Sequence, residues 1–194
     1  MDTATLTTAA GRYYTLRGLL LIPVGVVLVG AGIFNLPPIG DEEVPNHAVW
    51  FLPLVVAALV AWWFINRYYV STFGRAEPLA RTRVQVTIFT LIAVVAIAAG
   101  ILIDFNTDLQ ISAYGLSYAV CLLLYYRWMV GLSPYHWVIL GGLAVVSLIP
   151  VWGEFDDKSA VGMVTVGLAT IAVGWFDHQE LVRTFDRARA DARA

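Results

Sequence analysis

Six apolar runs separated by short polar segments set the pattern of this chain, at about 18–36, 47–65, 84–103, 109–126, 136–151 and 160–176. Most approach the ~20 residues that a helix needs to cross the ~30 Å hydrocarbon core of a bilayer. The third run is rich in β-branched residues, which in water favour strand. In lipid, however, twenty consecutive apolar residues must satisfy their own backbone groups, and a helix does so. The pattern predicts an all-α protein, a bundle of six transmembrane helices forming one domain over 1–176, followed by a short amphipathic tail at 177–194. The fifth and sixth runs are the shortest, so the sixth is expected to make a short helix. The first run follows Arg12 and Arg17 and carries small residues at Gly30-Ala31-Gly32, as a secretory leader would. It exceeds the usual apolar length of ~7–15 residues in such a leader, so it is read as a retained span.

Composition agrees with the pattern: 59% of residues are hydrophobic and 13% are charged. A soluble domain carries roughly 25% charged residues, so this chain cannot cover a water-facing surface. The one cysteine, Cys121, rules out an intrachain disulfide and sits in an apolar run as a small hydrophobe.

Charge then orients the bundle. The longest polar interruption, Asn66–Arg83, holds Arg67, Arg75, Arg81 and Arg83 against the single acid Glu77. Basic residues near spans stay on the cytoplasmic side. With both termini inside, that side also gains Arg12, Arg17, Arg127, Arg183, Arg187, Arg189 and Arg193, leaving only Lys158 of the twelve basic residues outside. Within the pivot segment, the second helix is expected to run on to Phe73, with Gly74 as its stop and Pro78 keeping the loop non-helical. The loop's net positive charge should hold it against an anionic inner leaflet.

The pairs Tyr13-Tyr14, Tyr68-Tyr69 and Tyr125-Tyr126 all fall at the cytoplasmic ends of runs, with Trp62, Trp63, Trp128, Trp137 and Trp175 near them. Trp50 and Trp152 fall near the other face. The first reading is an interfacial aromatic belt. The second is an aromatic cluster between the inner ends of helices 2, 4 and 6, which read WWFINRYY, LLLYYRW and VGWFDHQ. Glycines at 25, 30, 32, 141, 142, 162, 167 and 174 read as faces for close helix packing. Pro23, Pro53 and Pro150 read as kinks.

Candidate chemistry is sparse. Asp177-His178-Gln179-Glu180 follows the sixth run. The bland reading of the tail is a solvated helix, with Glu180 facing Arg183 and with Leu181, Phe185, Ala188 and Ala192 as a stripe against headgroups. The sharper one makes Arg67, Tyr68, Tyr69, Arg75, Tyr125, Tyr126, Arg127, Asp177, His178, Glu180 and Arg183 a ligand- or partner-binding surface. His136 stands far from Asp177 in sequence and is not counted with it. No catalytic set, metal site or cofactor motif is visible. No acidic or basic residue falls in the central part of a run, which argues against a proton relay.

Tyr68-Tyr69 followed by Phe73-Gly74-Arg75 and Pro78, and Asp177-His178 followed by Leu181-Val182-Arg183, resemble motifs of small uncharacterised bacterial polytopic integral membrane proteins. The resemblance covers some thirty residues. It implies a multi-pass protein of the bacterial plasma membrane and carries no activity with it.

Three functions are then expected in order. The first is a non-enzymatic membrane module whose Arg/Tyr-rich cytoplasmic face binds a partner protein or regulator. The second is a small channel or carrier for a neutral or apolar solute. The third is an enzyme working at headgroup level. The partners implied are the lipid bilayer, a cytosolic protein and, for a passage built from several copies, the chain itself; nucleic acid is not among them.

Overall fold

The computed structural model describes residues 13, 16–35, 47–74, 80–150, 152 and 158–191. Every regular element among them is helical. A 3-10 turn, Gly18–Leu20, leads into α1 (Leu21–Asn35); then come α2 (His47–Phe73), α3 (Ala80–Asn106), α4 (Ala113–Tyr125), α5 (Pro134–Leu148) and α6 (Lys158–Asp191). Four stretches are long and apolar enough to cross a membrane: Gly18–Asn35, Phe51–Phe73, Arg83–Asn106 and Lys158–Arg187. The helices alternate in direction. Gly32 lies by Ala160 and Gly18 by Gly174, Phe89 by Tyr125, and Tyr126 by His136.

α6 is the axis of the bundle. It packs along α1 and also against α3, α4 and α5. Of its most apolar 18 residues 44% are buried, against 6% for the corresponding part of α3 and 0% for that of α2. The sequence makes the sixth run short; instead α6 is the longest helix, at 34 residues. Apolarity stops at Phe176, but helix formers such as Gln179, Glu180, Leu181 and Arg183 carry the backbone on without a break. The tail stripe is also corrected. Leu181 is buried on Tyr13, Leu16 and Tyr69, and Phe185 packs on the same cluster, so protein rather than headgroup covers these two; Ala192 lies outside the described residues.

Small residues explain the α1–α6 pairing. Gly18, Gly25 and Gly32 recur every seven residues and face Gly174, Gly167 and Ala160, which recur at the same interval in the opposite direction. A Cβ on Gly25 would lie 2.7 Å from the Gly167 carbonyl oxygen, and one on Gly167 would lie 2.7 Å from that of Gly25. The backbones therefore touch, as in small-residue seams of membrane helices. A seven-residue repeat also matches a left-handed crossing. Gly141 and Gly142 do not belong to such a seam: a Cβ on either would meet nothing within 4 Å. The middle of the bundle is filled by Tyr114, Ala119, Leu143 and Val166.

α2 stops where local chemistry stops it. Gly74 takes φ +85°, and its N–H donates to the Val70 carbonyl at 3.2 Å. A positive φ suits glycine best, and this is its usual place after a helix. The fourth helix starts later than the apolar run, at Ala113, because Ser112 accepts from the Gly115 N–H as its cap.

Candidate functional site at the Asp177 end

Asp177 projects from the middle of α6 and is wholly buried. Three donors from α4 and α5 converge on it. The Tyr126 hydroxyl donates to Oδ2 at 2.5 Å, the Tyr135 hydroxyl to Oδ1 at 2.7 Å, and His136 Nε2 to Oδ1 at 3.0 Å. Only an ionised carboxylate accepts on both oxygens without donating, so the donor set complements the anion. The rings also stack: Tyr126 lies 3.8 Å from His136, centroid to centroid, and Tyr135 lies 5.4 Å from Phe176.

Two local devices aim these side chains. First, α4 ends in a π-helical turn, Tyr126–Val130. The Gly131 N–H closes it on the Tyr126 carbonyl at 2.7 Å, with Gly131 at φ +93°. Such a widened turn re-aims the side chains around it. Second, Pro134 opens α5 at a position where no N–H is needed. That places His136 in the first turn, where its Nδ1 accepts from the Ser133 N–H at 3.0 Å. It is half of a capping box, with histidine where Glu or Gln is usual. The bond also fixes the tautomer: with Nδ1 accepting, the proton sits on Nε2 and points at Asp177. Gly18 closes the site from the α1 side, since a Cβ there would come within 2.5 Å of the Asp177 Cβ.

A second set of contacts extends from the next residue. The Tyr69 hydroxyl accepts from the Leu19 N–H at 3.1 Å and shares a hydrogen bond with His178 Nδ1 at 3.2 Å. Tyr13 donates to the Gly74 carbonyl at 3.0 Å, so the glycine that ends α2 is also tied to the start of the chain. Arg17 lies over the rings of Tyr13 and Tyr69, at 5.6 and 5.2 Å from their centroids, and donates to the Asn66 side-chain oxygen. Its Nε is buried with no acceptor among the described residues. A cavity of about 120 Å³ lies beside these groups, lined by Leu16, Val130, Gly131, Leu132, Ser133 and Glu180.

The residues singled out from sequence separate into two groups. Tyr69, Tyr126 and Asp177 are buried and His178 is partly buried, all in the contacts just given. Glu180 lines the small cavity. Arg67, Tyr68, Arg127 and Arg183 are exposed, with Arg67 over the Trp63 ring and Tyr68 beside His178. Tyr125 packs on Phe89. Arg75 lies outside the described residues. Trp62, Trp63, Trp128, Trp137 and Trp175 are exposed, as an interfacial belt requires, whereas Tyr13, Tyr69 and Tyr126 are core. His136 must be corrected: it is no bystander but a direct partner of Asp177. Tyr135 and Arg17 also escaped the sequence reading. The one available signal was Ser133-Pro134, a helix start that puts the next two residues in a first turn.

The opposite end carries a buried pair of its own. Asp104 accepts from the Ala113 and Tyr114 N–H groups at 2.9 and 3.0 Å and from the Ser112 hydroxyl, so it caps α4. Lys158 lies 3.3 Å from Asp104 and also donates to the Thr107 and Leu109 carbonyls. Among the described residues no group of three or more His, Cys, Asp or Glu could hold a metal ion. No family model, curated protein or solved structure matches this chain.

Proposed function

We propose that this protein is a six-span module of the bacterial plasma membrane with both termini in the cytoplasm. Its Asp177 end serves as a docking face for a partner protein with an acidic surface. One observation carries this reading. Around a carboxylate whose bonding is consumed internally stand Arg67, Arg127 and Arg183, exposed, and none forms an ion pair with a described residue. Exposed cations at one end of the bundle, with no ion pair among the described residues, attract an anionic partner over a Debye length of ~8 Å at physiological salt.

The internal bonding also weighs against the rival functions. An acid–base catalyst needs a nitrogen or oxygen facing substrate. Both nitrogens of His136 are engaged, by Ser133 and Asp177, and Asp177 lies under Gly18. A solute passage through the middle would meet the packed side chains of Tyr114, Leu143 and Val166.

Photo-crosslinking residues placed at 67, 127 and 183 in intact cells test the docking face. One discrete protein adduct should form from at least two of the three sites. It should weaken when a neighbouring arginine is reversed, as in Arg183→Glu assayed from site 127. Adducts no larger than lipid from all three sites would overturn the reading.

A further inference from the structure

The α1–α2 pair is closed at one end and open along its length. On α2, Val55, Ala58, Leu59 and Trp62 line the groove. The next turns of the same helical face carry Asn66 and Tyr69, because these positions recur at intervals of three and four. On α1 the groove is lined by Pro23, Val24, Val27 and Leu28. It holds about 390 Å³, within the ~300–1,000 Å³ range of ligand sites, and every lining side chain is apolar. Toward the Asp177 end the two helices are bridged by the Arg17–Asn66 contact and by Tyr69 with Leu19. Trp62 stands one turn, about 6 Å, from Asn66 along α2.

Arg17 is the group at this end whose bonding is incomplete. Two aromatic faces and one amide oxygen surround its guanidinium. None supplies a negative charge, and its buried Nε has no acceptor among the described residues. The ion pairs of the described residues belong to His136 with Asp177 and Lys158 with Asp104. A partly buried cation whose Nε finds no acceptor among the described residues calls for an anionic one. An apolar groove of acyl-chain character calls for hydrocarbon. One class of molecule supplies both at this separation.

We propose that the α1–α2 groove and Arg17 form a binding site for an anionic phospholipid. Its phosphate sits on the Arg17 guanidinium beside Asn66, and an acyl chain lies against Val24, Val27, Leu59 and Trp62. Planar guanidinium donors match phosphate oxygens in pairs. This site stands independently of the partner-docking reading.

Native mass spectrometry of the delipidated full chain tests it, using phosphatidylglycerol and phosphatidylcholine with the same chains. Phosphatidylglycerol should bind about five- to tenfold more tightly at the first site. Arg17→Gln should bring the two lipids to parity. Ala58→Trp, which fills the groove away from Arg17, should weaken both. Equal binding by the unmodified protein, or a preference that survives Arg17→Gln, would overturn the proposal. So would phosphatidylglycerol binding that inorganic phosphate displaces and Ala58→Trp leaves unchanged, because that is an anion site without a chain. If Arg17→Gln fails to give a monodisperse helical protein, Ala58→Trp and the two-lipid comparison still decide.

Discussion

Asp177 is held by three donors from two other helices, so removing it strands two phenols and one imidazole N–H in the core. Asp177→Ala should lower unfolding stability by about 3–5 kcal/mol, the usual cost of breaking a buried charged network by removing one partner. Tyr135→Phe, which removes one donor to the carboxylate and leaves two, should cost less, about 1.5–3 kcal/mol. Reversible unfolding in detergent measures both, and an Asp177→Ala protein as stable as the parent would show that the cluster locks nothing. At this scale the sequence was half legible. Asp177, Tyr69 and Tyr126 stand out because a polar or phenolic group beside a long apolar run is noticeable. His136 and Tyr135 do not, because only the tertiary fold carries the start of α5 to the middle of α6.

Among elements, the α1–α6 seam depends on the absence of side chains at particular backbone positions. Gly167→Leu should separate the helices and cut the yield of folded, monodisperse protein several-fold. Gly141→Leu, at a position with open space around it, should leave the yield near that of the parent. Size-exclusion profiles of the two variants make the comparison, and equal behaviour would mean that the close approach contributes nothing. The glycines were visible in the sequence, but not that Gly18, Gly25 and Gly32 would meet Gly174, Gly167 and Ala160. Nor could it be read that 141 and 142 are different in kind, since a glycine looks the same facing a helix or facing outward. The stop of α2 at Gly74 was legible because it is local: one glycine and the turn before it decide it. The reach of α6 was not, because hydropathy reports where apolarity ends and helix formers continue past that point.

For the whole molecule, alternating helices bring residues near both ends of the chain together, with Tyr13 on Phe185 at 6.2 Å between ring centroids. In the proposed topology this end faces the cytoplasm and the Asp104–Lys158 end faces outward. In a Cys121→Ala background, single cysteines at 107 and 187 should then react oppositely with a membrane-impermeant thiol reagent added to intact cells: 107 labelled, 187 protected until the cells are opened. Labelling of 187 in intact cells would invert the topology. The number of helices was legible from the count of apolar runs. Their neighbours were not, since short loops suggest sequential hairpins while the tightest seam joins the first helix to the sixth.

That seam has a consequence for biosynthesis. In the proposed topology the spans are delivered in order, so α1 enters well before α6, the helix on which its glycine face closes. Until α6 is made, that face must be left to lipid or to the insertion machinery, and no subset of the earlier helices can reach the final arrangement. Assembly is therefore governed by the most distant contacts in the chain, the slowest kind to form. Ribosomes stalled before residue 158 would hold spans that are inserted yet unassembled, an open substrate for membrane proteases.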